Sequence, residues 1–385
     1  MLHQATALTG EEAEVLVKID EARRNLSYAV SQSRRWVGLL RRNTYARAIR
    51  GSNSIEGYNV TVDDALAAAE GDQPFDANAQ TWAAITGYQN AMTYALQLAE
   101  DPHFKYEEAL LRSLHFMMMQ HDLTKNPGRW RPGPIFVRND DRDEIVHEGP
   151  AAELVSPLMG ELVAWLEDHD TSSPIMIVAA MAHLNLVMIH PFSDGNGRMA
   201  RCLQTLILAR ERILHPMLCS IEEYLGRNTP AYYAVLADVG KGSWQPENDA
   251  RPWIRFSLTA HYRQAMTLNR RLKHWSRVWE EVERHVMHRT LPERSMQELV
   301  NAAMGYRVRN STYRLAAEVS DNVATRDLKV LVDQRLLISK GERRGRWYEA
   351  APLLTAIRER FRESGPIEDP FTSIGQQRPT CAREE

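Results

Sequence analysis

Apolar residues recur at three- and four-residue spacing over most of the chain, which predicts amphipathic helices over 11–40, 77–100, 106–120 and 150–167. A strongly apolar helical stretch covers 175–189, a second covers 199–209, and a long helix is expected from 253 to about 288. Period-two patterning is scarce. It is clearest at 134–137 and 144–147, on either side of the charged turn 139–143, and predicts a lone β-hairpin. Residues 241–251 (KGSWQPENDAR) read as a surface loop. Beyond the long helix, two short helices (296–304 and 312–319) precede a third (323–334), and ISKGERRGRWYEA then reads as a hairpin around residues 341–345. The stretch from residue 363 is weakly patterned and is expected to be disordered. The fold class is therefore mainly α.

Composition narrows the class. Of 385 residues, 44% are hydrophobic and 25% charged, as in an ordinary globular protein with room for two or three domains. A net charge of −3 gives no global attraction to nucleic acid or membrane. Three cysteines (Cys202, Cys219, Cys381) lack metal-ligand spacing and, being odd in number, argue for a reducing compartment. No basic-then-apolar leader opens the sequence, and the run from Ile175 to Ala182 is too short to span a bilayer, so a cytoplasmic location is expected.

The most informative segment is HPFSDGNGRMAR, residues 190–201, between the two apolar helices. Pro191 ends the first helix. Gly195 and Gly197 let the backbone approach a ligand, and the following helix start offers unpaired N–H groups and partial positive charge to a phosphate. Arg198 and Arg201 lie three apart on one face. Asp194 is a hard oxygen ligand of the kind Mg²⁺ takes together with substrate phosphates. His190 is the side chain suited to accepting a proton near neutrality. Together these residues describe a nucleotide triphosphate cradle with a metal ligand and a base at its rim.

At these positions the sequence resembles the Fic family, whose signature HPFx[D/E]GNGRxxR is matched at all nine specified positions. GRWR at 128–131 resembles the segment before the family's flap, and 135–147 resembles the flap that holds a target peptide by strand addition. The resemblance implies protein AMPylation, in which AMP passes from ATP to a Ser, Thr or Tyr hydroxyl of a target protein or of the enzyme itself. It also implies roles. His190 would deprotonate the hydroxyl, Asp194 would hold Mg²⁺, and Asn196 would contact the α-phosphate. Gly195 and Gly197 would form the anion hole, Arg198 would hold the β-phosphate and Arg201 the γ-phosphate. Tyr232 and Tyr233 resemble the adenine-side pair, although the loop around 242–249 looks inserted.

Upstream, SNSIEG at 52–57 resembles the family's inhibitory motif [S/T]xxxE[G/N]. Ser52 and Glu56 share a helical face, and Gly57 suits a helix C-terminus. A carboxylate delivered to Arg201 would occupy the guanidinium that the γ-phosphate needs. Removal of AMP, with Glu56 orienting a water, is the implied reverse activity, and a homodimer is the implied assembly.

Residues 286–350 hold 12 Lys/Arg against 8 Asp/Glu. Their pattern resembles a winged helix-turn-helix, with 323–334 as recognition helix and 340–346 as wing, which makes DNA a candidate partner. The expected organisation is an N-terminal helical region (1–105), a Fic core (106–265), a linking helix (266–285), the winged helix (286–355) and a tail (356–385). The alternatives are a nucleotide-sensing DNA-binding regulator and a Fic-type enzyme that transfers another phosphate-linked group. His183, Met117–Met119 and Cys202 are expected to be core residues.

Overall fold

The computed structural model describes the chain apart from residues 33, 140–143, 169–172, 343–344 and 373–385. The tip of the expected 139–143 turn, two arginines of the expected wing, and residues 373–385 of the tail with Cys381 lie outside the described residues. Helices dominate, in the order α1 (Gly10–Ser31), α2 (Val37–Ile55), α3 (Val62–Glu70), α4 (Ala79–Leu98), α5 (Glu108–Met119), α6 (Ala152–Asp168), α7 (Ile175–Ile189), α8 (Asn196–Arg210), α9 (Glu222–Arg227), α10 (Thr229–Gly240) and α11 (Arg251–His288).

The single helix expected over 11–40 is two. α1 starts on a capping box formed by Thr9 and Glu12 and ends at Ser31, where the polar run SQSRR offers nothing to bury. The chain then turns and α2 begins beyond the buried Trp36. This correction matters, because α2 is the helix that ends at Glu56.

α7 is buried on nearly every side, and α8 packs along it. An all-apolar helix belongs at the centre of such a bundle, and both ends of the 190–201 loop are therefore fixed in the core. α2 reaches this centre by lying against α9. A Cβ on Gly51 would stand 2.3 Å from the Glu222 carbonyl oxygen, and one on Gly226 would stand 2.7 Å from the Gly51 backbone. Only glycine at both positions allows that approach.

The hairpin is not alone. β1 (Phe136–Asn139) pairs antiparallel with β2 (Glu144–Glu148), with an irregularity between Val137 and Arg138. β2 also pairs in parallel with a short β3 (Gly242–Ser243), drawn from the expected surface loop. Two residues are too few to show an alternating pattern, which is why the sequence hid this strand.

α11 is 38 residues long and leads into α12 (Met296–Ala303), α13 (Asn310–Ala317), α14 (Asp321–Asp333), β4 (Leu337–Lys340), β5 (Trp347–Ala350) and α15 (Pro352–Phe361). Val308, between α12 and α13, forms an antiparallel bridge with Tyr348 of β5. α15 crosses residue 355, the expected end of that module, and packs on α11 and α12. The module also grips the N-terminal region. Arg307 pairs with Asp63 at 3.0 Å and with Asp76, while Arg309 stacks 3.5 Å over Phe75 and donates to the Pro74 carbonyl.

Candidate functional site

α7 ends at His190, whose φ of +52° turns the chain out of the helix ahead of Pro191. The His190 amide still donates to Leu186 O, and its Nδ1 lies 3.1 Å from Val187 O. A carbonyl only accepts, so Nδ1 carries the proton and Nε2 keeps its lone pair. Burial, with His147 and Arg131 nearby, lowers the imidazole pKa to about 4 against the opposing pull of Val187 O and Glu56. His190 is thus a neutral base held in one tautomer.

The loop that follows is braced from within. Asn196 accepts from the Phe192 amide at 2.8 Å and donates to the Phe192 carbonyl at 2.9 Å. The brace takes up Oδ1 and one of the two Nδ2 hydrogens, which leaves the second Nδ2 hydrogen and the backbone N–H in the first turn of α8 as donors at Asn196. Gly195 has φ +76° and caps that helix. At Gly197 a Cβ would stand 2.6 Å from Glu56 Oε1, so glycine is needed for the carboxylate to come so close.

Arg198 and Arg201 are each 1% exposed and among the largest fully buried side chains. Arg198 donates from Nη2 to Met119 Sδ and lies 5.3 Å over the Tyr58 ring, while its Nε and Nη1 have no hydrogen-bond partner among the described residues. Arg201 donates from Nε to Ser52 Oγ (2.8 Å) and from Nη2 to Ser52 O (3.1 Å) and Glu56 Oε1 (2.6 Å), leaving Nη1 without a hydrogen-bond partner among the described residues. Burial raises the Glu56 carboxyl, but Arg201 and Arg198 outweigh it and hold the group below the ordinary carboxylate range. Buried guanidinium groups with unmet donors call for an anion.

Asp194 is partly exposed. Its Oδ1 accepts the Gly195 amide, and its Oδ2 lies 3.9 Å from Lys125 Nζ. No cluster of three His, Cys, Asp or Glu side chains suited to a metal occurs among the described residues. One open carboxylate beside an anion cradle fits Mg²⁺, which keeps waters and takes substrate phosphates as its other ligands.

Tyr232 and Tyr233 part company. Tyr232 is 1% exposed and its hydroxyl meets His183 Nε2 at 2.9 Å, so it has no open face for an adenine ring. Tyr233 is 46% exposed, and its hydroxyl donates to Ile55 O beside the Glu56 segment. His183 is a core histidine as expected, bonded to Gln204 and Tyr232.

Several supporting residues escaped sequence reasoning. His115 of α5 stacks on Phe192 at 3.6 Å, donates from Nε2 to Asp194 O, and accepts the Gly128 amide on Nδ1. Arg131 donates to His190 O, Gly133 O and Pro150 O, stapling the base of the flap to the loop. His147 of β2 ties the flap to Met188 O. Met119, expected only to pack, contacts Arg198 as well. The Gly128 and Arg131 positions carried a signal, in GRWR, but His115 carried none in its own helix.

A model of the Fic/DOC family matches residues 105–208. The chain carries a Fic domain. The protein adenylyltransferase Fic of Nematostella vectensis is 29% identical over 259 residues, which are 64% of this chain and 53% of that protein. The protein adenylyltransferase fic-1 of Caenorhabditis briggsae is 37% identical over 107 residues, 28% of this chain and 19% of its own length. This chain thus spans about half, or less, of the curated relatives it matches. Among solved structures, a Fic family protein from Desulfovibrio desulfuricans superposes with a TM-score of 0.59 at 23% identity, over 91% of this chain and 99% of that one. A Fic domain signalling protein from Bacteroides thetaiotaomicron gives 0.54 at 20% identity, over 67% and 97%. The Fic domain match therefore ends one residue short of Ala209, and both the 190–201 loop and the flap fall inside it.

Proposed function

We propose that this protein is an adenylyltransferase that moves AMP from ATP to a hydroxyl side chain of a target protein, and that the structure represents its restrained form. The observation that carries this reading is the pair of buried arginines with unmet N–H donors, at a helix start, beside a histidine held as a neutral base. In the reaction, Nε2 of His190 takes the proton of the attacking hydroxyl. Its oxygen forms a bond to the α-phosphorus as the bond to the bridging oxygen breaks, and pyrophosphate leaves. Arg198 and Arg201 would neutralise the β- and γ-phosphates and the backbone at Gly195 and Gly197 would receive the phosphate oxygens, so positioning and charge carry the catalysis. Mg²⁺ held by Asp194 would offset the charge of the phosphates. β1 is the outer strand of its sheet, which supports addition of a target peptide as a further strand.

Restraint follows from competition. Glu56 Oε1 already receives the Arg201 Nη2 donor, and its negative charge repels a triphosphate. With the same carboxylate directed at a water, the site would also serve removal of AMP. The DNA-binding reading draws less support, because Arg294, Arg307 and Arg309 of the C-terminal module are spent on Asp327, Asp63, Asp76 and Asp72.

Purified protein incubated with a target extract and labelled ATP tests the reading. Label from α-³²P-ATP should enter protein and label from γ-³²P-ATP should not. Transfer of the γ-label, or of neither, would overturn it.

A further inference from the structure

Away from the 190–201 loop, a cavity of about 610 Å³ opens between α2, α9, α11 and α15. Six guanidinium groups line it: Arg47, Arg227, Arg270, Arg271, Arg358 and Arg362. Their countercharges are few. Glu223 alone receives Arg227 (2.7 Å), Arg271 (2.8 Å) and Arg47 (3.7 Å). Glu359 is shared by Arg358 (3.0 Å) and Arg362 (3.5 Å), and Arg270 is held by the carbonyls of Gly365 and Pro366. Among the described residues, six cations face Glu223, Glu359 and, at the rim, Glu363, with Asp63 also attracting Arg47. Arg47 Nε and Arg271 Nη1 are buried without a hydrogen-bond partner among the described residues.

We infer that this cavity is a second anion site, for a compact phosphate chain such as inorganic tripolyphosphate or the phosphate tail of a nucleotide. Planar guanidinium forks pair bidentately with phosphate oxygens, and unmatched positive charge in a partly enclosed space calls for several negative charges on one small body. The volume suits a small molecule rather than a polymer. Arg227 shows the crowding. Burial depresses its pKa, and Arg271, Arg47 and Arg50 add to this against the pull of Glu223. An anion would relieve that repulsion. It would also cross-link α15 to α2, the helix that carries Ser52 and Glu56. No lining residue belongs to the loop, so the inference does not rest on the proposed transfer activity.

Calorimetric titration of the full chain with sodium tripolyphosphate at about 0.15 M salt tests it. Arg201→Ala, which disables the loop cradle, should retain one saturable site, and adding Arg270→Glu and Arg362→Glu should weaken that site by about tenfold or more. ATP titrated into Arg201→Ala separates the sources. Tighter binding than tripolyphosphate identifies a nucleotide, weaker binding identifies the phosphate chain itself, and either supports the site. Should the charge-reversed protein fail to fold, Arg362→Gln, at a largely exposed side chain, should still weaken binding severalfold. Three results would overturn the inference: no saturation by roughly millimolar ligand, binding that the cavity substitutions leave unchanged, or binding that Arg201→Ala alone abolishes. In those cases the arginines are only a clasp between helices.

Discussion

Replacing Glu56 by glycine should raise AMP transfer on the order of 100-fold, although every group assigned to catalysis stays in place. The perturbation is local. Glu56 caps α2 with φ −91° and ψ 13°, a conformation glycine adopts freely, and the Arg201 guanidinium keeps its two hydrogen bonds to Ser52. What disappears is a carboxylate 2.6 Å from Nη2 of a buried arginine. A bias near ~2.7 kcal/mol holds a two-state site at about 99 to 1. Relief of that bias sets the expected gain. The assay is intact-mass or α-³²P labelling at matched ATP and Mg²⁺, with thermal unfolding to confirm the fold. Glu56→Gln, which keeps the volume but not the charge, should give a smaller rise. Arg201→Ala should give none, because it deletes the phosphate partner along with the restraint. Equal or lower labelling by a well-folded Glu56→Gly protein would refute the competition argument and leave 52–57 as a structural turn.

His190→Ala should lower transfer by about 10²–10⁴-fold while ATP binding, measured by calorimetry, is largely kept. Since burial lowers the His190 pKa to about 4, the neutral base persists well below pH 6.5. The pH–rate profile of Glu56→Gly should therefore show no loss near pH 6.5 and fall only toward pH 4; a midpoint near 6.5 would count against this base. Asp194→Asn should sharply weaken Mg²⁺-dependent labelling, and activity that survives both the substitution and EDTA would argue against a metal held there. His115→Ala should destabilise the fold by about 2–4 kcal/mol, read as a lower unfolding temperature, because it empties a stacked site and strands the Gly128 N–H and Asp194 C=O.

Legibility in the sequence followed the range of the interactions. The 190–201 loop was readable because its chemistry is contiguous: a proline stop, two glycines and two arginines three apart are set by local backbone geometry. The Ser52–Glu56 spacing was readable for the same reason, since four residues make one helical turn. Its partner was not set by spacing: the pair to Arg201 spans 145 residues and depends on α2 lying against α9 at Gly51 and Gly226. His115 acts on a carbonyl of the loop, and a backbone carbonyl leaves no trace in a sequence pattern. β3 and the end of α1 were missed or misplaced because a two-residue strand has no period and a polar break resembles an exposed helical turn.

Tyr232 shows where local reading misleads in the opposite direction. An adjacent tyrosine pair on a helix points its rings about 100° apart, so only one of the two can face a ligand while the other turns inward. In α10 the inward one meets His183 and Trp253 in the core, with ring centroids 5.7 and 6.1 Å away, and its hydroxyl is already bonded. Tyr233 is left on the open side, near the carboxylate that pairs with Arg201. Its hydroxyl donates to the carbonyl of Ile55, the last residue of α2, so the open ring is tied to the helix end that carries Glu56.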